Sequence, residues 1–179
     1  MEDDRLRRLA TELSPAIANY LRRRLYPLGD GDLDDLVEET FLVIWRRIDD
    51  VPPDAELAWS LGVARNVLRN SKRARLRRSA AEARLRPQGA ESSAEAWVLA
   101  SASVRAAMRT LSASDRELLL LYHWDGLDVP AIAVALTIIE NAANVRLSRA
   151  HARLRRAYED DGSGENTTPG ATVPRREGT

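Results

Sequence analysis

The stretch from Trp59 to Arg78, WSLGVARNVLRNSKRARLRR, has the pattern of a helix with two unlike sides. At roughly 100° per residue, Leu61, Ala64, Val67 and Leu68 fall together on one side. Trp59, Asn66, Asn70, Arg73 and Arg77 fall on another, with Arg65, Arg69 and Lys72 beside them. The stretch holds seven basic residues and no acidic one. The apolar side demands a core. The other side joins cations to two amides that can hydrogen-bond base edges and an indole that can stack. It reads either as a nucleic-acid contact or as a solvated basic face, and the rest of the chain has to decide.

The rest of the chain is also helical in pattern. Sustained period-two alternation and Asn-Gly hairpins are absent, so strands are not expected. With 179 residues and 44% hydrophobic content there is enough for one medium or two small cores. The formal net charge is zero, but the charge is segregated. Within residues 1–78 the acids end at Glu56, and the segment from Asn144 to Arg156 carries five Arg and no acid. Two discrete basic surfaces fit this better than bulk packaging of nucleic acid. The absence of cysteine excludes disulfides and thiolate metal sites. His123 and His151 are far apart in sequence, so neither a metal site nor a cofactor is expected. The opening MEDDRLRRLA has no apolar segment of a signal peptide, and no run has the length of a membrane span. The expectation is a cytoplasmic chain with no membrane insertion.

In chain order, residues 4–26 read as helix, with Ser14-Pro15 dividing it because Pro favours a first helical turn. Asp32–Ile48 reads as a second helix, with its acids placed against the helix dipole. Leu36, Val37, Phe41, Val43, Ile44 and Ile48 form its apolar face. The opposite face mixes Asp34, Asp35, Glu38 and Glu39 with Leu42 and Trp45. Large apolar groups among carboxylates suit a protein-docking surface; the alternative is that Trp45 packs on a neighbouring helix. The proline-bearing loop Asp49–Glu56 feeds the basic helix, and residues 79–93 read as a linker. A helix is expected from near Ser93 to Thr110. The next is capped by Ser112 or by Ser114 with Glu117, and stops at Asp125-Gly126. Asp128 then caps a short helix with Pro130 in its first turn. A break at Thr137–Ile139 leads to a long basic helix, Glu140–Tyr158. This is a helix-turn-helix pattern, with Val145 or Ala143, Leu147, Ala150 and Leu154 continuing the buried stripe. Residues 159–179 read as a disordered tail.

Three of these segments, in this order, resemble an extracytoplasmic-function sigma factor, a small class of bacterial transcription initiation factor. DLDDLVEETFLVIWRR is similar to the family's polymerase-docking stretch. AWSLGVARNVLRNSKRARLRR is similar to its promoter-melting and minus-ten-reading helix. LSASDRELLLLYHWDGLDVPAIAVAL with RLSRAHARLRRAY is similar to its minus-thirty-five-reading domain. The resemblance implies an all-α fold of two small helical domains joined by a linker: 1–78, then 79–93, then 94–158 with the helix-turn-helix. It implies no enzyme activity, and as partners core RNA polymerase, promoter DNA and an anti-sigma factor. Asp35, Glu38, Glu39, Leu42 and Trp45 would meet the polymerase clamp. Arg65, Asn66, Arg69, Asn70, Lys72, Arg73 and Arg77 would hold the minus-ten strand. The loop Asp49–Glu56 would lie where the family captures a flipped base, and Trp59 reads as packing beneath it. Asn141, Asn144, Arg146, Ser148, Arg149 and Arg153 would meet the minus-thirty-five element. One departure stands out. The family's Gly-Ile-Ser turn is here Thr137-Ile138-Ile139, losing a flexible residue and a cap. The competing readings are a sigma-like decoy or a free-standing helix-turn-helix regulator.

Overall fold

The computed structural model describes residues 2–83 and 102–163, and every regular element among them is helical. Helix α1 spans Glu2–Arg22, α2 Leu33–Arg46 and α3 Glu56–Ala83. They are followed by α4 Ala102–Thr110, α5 Ala113–His123, α6 Val129–Leu136 and α7 Glu140–Ser163. Short 3-10 turns at Asp30–Asp32 and Ile48–Asp50 flank α2. Helices α1, α2 and α3 pack on one another, as do α4, α5, α6 and α7.

The periodic stripes read from the sequence are the buried ones. In α3, Leu61, Ala64, Val67 and Leu68 are buried, and in α2 so are Leu36 and Ile44. Helix α1 differs from expectation at Pro15, which sits inside a continuous helix. Proline there removes one backbone donor. Leu9 before it and Ile17, Tyr20 and Leu21 after it are all buried, so core packing carries the helix through. Arg5 donates to the carbonyls of Ile48 (3.1 Å) and Val51 (2.7 Å), fixing the loop after α2 against α1. Arg8 grips both carboxylate oxygens of Glu56 at 3.1 and 2.8 Å, which pins the start of α3. That bond, above all, lowers the pKa of Glu56.

In the second half, Ser112 caps α5. It accepts from the Asp115 amide at 3.1 Å, so the box expected from Ser114 and Glu117 is not the one used. Asp128 caps α6 by accepting from the Ala131 amide at 2.9 Å. Helices α6 and α7 meet at 105°, within the range of a helix-turn-helix. The altered turn between them is well formed. Thr137 is left-handed, with φ 55° and ψ 50°. The Ile138 amide donates to Ala133 at 3.0 Å and the Thr137 amide to Val134 at 3.1 Å. This is a Schellman motif with threonine where glycine is usual.

Helix α3 runs to Ala83, five residues into the stretch read as linker. The rest of that stretch, the expected helix before Ala102, and the tail beyond Ser163 lie outside the described residues.

Candidate docking and nucleic-acid interfaces

Three helix faces carry the residues singled out from the sequence. On α2, Asp35, Glu38, Glu39, Leu42 and Trp45 are all exposed. They recur at three- and four-residue steps, so they share one side of the helix, away from buried Leu36, Thr40 and Ile44. Leu42 is 42% exposed and Trp45 52%, and neither belongs to the hydrophobic core cluster. Two large apolar groups amid three carboxylates leave a surface with unburied hydrophobic area and directional charge.

On α3, Asn66, Arg69, Asn70, Arg73 and Arg77 are exposed, spaced as one rib. Arg69 donates to the Asn66 side-chain oxygen at 3.3 Å. The structure separates two of the expected group from this rib. Lys72 is half-buried and donates to the main-chain oxygen of Arg24, and burial lowers its pKa. Arg65 is also half-buried and faces the second half of the molecule. Trp59 packs partly buried against the core, with the Arg47 guanidinium 5.2 Å above its ring.

On α7, Asn141, Asn144, Arg146, Ser148, Arg149 and Arg153 are exposed, and Ala143, Leu147 and Ala150 are buried. Of the two residues left open for the buried stripe, Ala143 is inside and Val145 is 40% exposed. Arg146, Arg149 and Arg153 turn toward a cleft that they line with Arg65, Asp115 and Glu117. Arg153 is already engaged, donating to both Asp115 oxygens at 2.8 Å.

Between the halves lies a network that sequence periodicity does not register. Glu117 accepts from the Tyr20 hydroxyl at 2.8 Å and from Arg24 Nε at 2.7 Å. Asp125 accepts from Arg24 Nη2 at 2.7 Å and also from Arg23. The Arg24 guanidinium lies 3.9 Å over the Tyr20 ring. Arg24 and Asp125 keep only 6% and 2% of their side-chain surface in solvent. Burial pushes the Tyr20 hydroxyl well above its ordinary pKa, and the Glu117 charge beside it adds to the shift. Alongside this network α3 packs directly on α6, where the position of a Cβ on Gly62 would be 2.8 Å from the Ala135 carbonyl oxygen. The two histidines, distant in sequence, also meet, with Nε2 atoms 2.8 Å apart. Desolvation and the neighbouring His151 lower the pKa of His123. Among the described residues no group of three or more metal-ligating side chains forms, and no single helix is long and apolar enough to cross a membrane.

Comparison with known proteins places these faces in a family context. The family model for Sigma-70 region 2 matches residues 9–78, and that for Sigma-70, region 4 matches residues 101–154. Together they span more than half of the chain. The chain is 28% identical over 141 residues to RNA polymerase sigma factor NccH of Alcaligenes xylosoxydans xylosoxydans, covering 73% of this chain and 75% of that one. It is 28% identical over 153 residues to RNA polymerase sigma factor CnrH of Cupriavidus metallidurans, covering 77% and 79%. Two solved structures share the fold. One is CnrH in complex with the cytosolic domain of CnrY, with a TM-score of 0.56 at 23% identity, covering 87% of this chain and 88% of that one. The other is the sigma factor RpoE in complex with the anti-sigma factor NepR from Bartonella quintana, with a TM-score of 0.61 at 21% identity, covering 89% and 98%.

Proposed function

The chain belongs to the sigma-70 family of transcription initiation factors, in its extracytoplasmic-function class, and from that premise we propose how its surfaces divide the work. The face of α2 binds core RNA polymerase through Asp35, Glu38, Glu39, Leu42 and Trp45. The rib of α3, with Asn66, Arg69, Asn70, Arg73 and Arg77, holds the displaced minus-ten strand, joined by Arg65 and Lys72 once they are released. The face of α7 with Asn141, Asn144, Arg146, Ser148, Arg149 and Arg153 docks on the minus-thirty-five duplex, Arg153 once it leaves Asp115. The working units are residues 1–78 and 94–158. The chain lends promoter specificity to the polymerase and is not itself the enzyme. It acts in the cytoplasm, where polymerase and promoter are.

The observation that carries this reading is the α2 face. Among the described residues, Leu42 and Trp45 stay exposed among carboxylates, and they lie one helix away from a cationic rib. A basic helix delivered by a protein-docking face suits single-strand capture inside a larger machine, where the polymerase holds the duplex open. The complex of RpoE with the anti-sigma factor NepR supports a third partner class for this chain, an anti-sigma factor, and these faces are where it would bind. The test adds purified chain to core polymerase and reads promoter-specific transcripts, with Trp45→Ala alongside. The expected result is transcription that depends on the chain and is reduced at least tenfold by the variant, in line with aromatic anchors at interfaces. Polymerase binding without transcripts would instead make the chain a decoy. Duplex binding with no polymerase binding would make it a free-standing regulator.

A further inference from the structure

Of the two residues left open for the buried stripe of α7, Val145 is the one left outside it. Ala143, Leu147 and Ala150 are buried and Leu154 packs partly buried beside them, so the inward side of α7 is complete without Val145. At 100° per residue Val145 points away from that stripe. Its helix-surface neighbours, at three and four residues on either side, are Asn141, half-buried Ala142, Ser148 and Arg149. A branched aliphatic is a poorer helix former than alanine, and at 40% exposure, outside the core cluster, it gains no core packing in return. It therefore sits as an apolar island in the middle of a polar, cationic face.

The chemistry of the major groove supplies a partner for such an island. Of the groups exposed there, the thymine C5 methyl is the one that an aliphatic side chain can recognise and that no hydrogen-bonding group can. Asn and Ser beside it can reach base edges, and Arg149 can reach a base edge or a phosphate. We propose that Val145 reads a thymine methyl in the upstream promoter element, making it a specificity-determining residue on this helix. The inference rests on the reading of α7 as the helix that enters that groove. Ile139, 73% exposed just ahead of α7, is the rival apolar group. It precedes the helix rather than sitting among the Asn, Ser and Arg side chains of the face, and so is assigned no base.

The test uses the holoenzyme formed from the full chain and core polymerase. A promoter duplex is first selected from a randomised library, and each thymine of its upstream element is then replaced singly by deoxyuridine, which removes only the methyl. Wild-type chain is expected to lose roughly three- to fivefold in affinity at one thymine position, the scale of one buried methyl group. Val145→Ala is expected to bind thymine and deoxyuridine equally at that position, with its melting curve unchanged, and Ile139→Ala to keep the discrimination. Discrimination that persists in Val145→Ala, or that is lost in Ile139→Ala instead, overturns the assignment. So does an upstream element that is selected but insensitive to deoxyuridine, which leaves α7 as the reading helix. If no upstream element is enriched at all, the reading of α7 fails and the inference falls with it.

Discussion

Thr137 shows what a single residue can demand of a turn. A left-handed conformation costs a residue with a Cβ about 1 kcal/mol or more, yet both amide bonds of the Schellman motif are formed there. Packing sustains it: Ile138, next in the chain, lies against the core. Ile139 follows with its carbonyl accepting the first helical bond of α7, from Ala143 at 3.1 Å, and its side chain cannot cap. Serine there would supply about 1 kcal/mol of capping. The double variant Thr137→Gly, Ile139→Ser is expected to gain about 2 kcal/mol and raise Tm by roughly 4–8 °C, as read by thermal unfolding. An unchanged Tm would mean that neighbouring packing already compensates for both defects. At this scale the sequence is a good guide where residue type alone fixes a cap or a turn. The caps at Ser112 and Asp128 and the left-handed Gly126 follow from residue type. Glu117 misleads because its proximity to Ser114 suggests a box, while its partners Tyr20 and Arg24 lie 97 and 93 residues away.

Helix faces are legible because burial imposes a period. The buried side of α3, the exposed acids with Leu42 and Trp45 on α2, and the cationic outer side of α7 all follow from steps of three and four. Val145 and Ala143 are both compatible with a loosely drawn stripe. The spacing of Ala143, Leu147, Ala150 and Leu154 separates them once angles rather than residue types are compared. The division expected at Pro15 was a local rule overruled by the core on either side. Gly62 marks the other limit. In sequence it is a weak spot in a helix; in the structure it is where α3 touches α6. A methyl there would need to displace the Ala135 backbone, since 2.8 Å is closer than carbon and oxygen approach without bonding. Gly62→Ala should gain about 1 kcal/mol in helix propensity. We nevertheless expect it to weaken the packing of α3 on α6, read as faster hydrogen exchange of α6 amides. Slower exchange across α6 would show that the two helices have slack.

At the scale of the whole molecule, the contact between the halves decides which surfaces are free. Arg24 is held by Glu117 and Asp125, Lys72 is turned onto the Arg24 carbonyl, and Arg65 faces the cleft beside α7. Of the group proposed for the minus-ten strand, Lys72 is thus engaged internally and Arg65 is half-buried at the cleft, while the rib from Asn66 to Arg77 stays exposed. None of this is readable from sequence, because a buried ion network between distant helices has no period and its members look like ordinary surface charges. The energetic logic is that of a buried pair: neutralising one side strands the other, at about 3–5 kcal/mol. Glu117→Gln with Asp125→Asn keeps shape and leaves Arg24 buried without a counter-charge. That variant is expected to part the two halves, giving a larger radius of gyration in small-angle scattering. With Arg65 and Lys72 released, it should also bind single-stranded minus-ten DNA more tightly, with a steeper salt dependence because more cations meet phosphate. The two readouts separate the ideas. Unchanged scattering would mean that the α3–α6 contact alone keeps the halves together. Parted halves with unchanged strand affinity would mean that the exposed rib is already sufficient for binding.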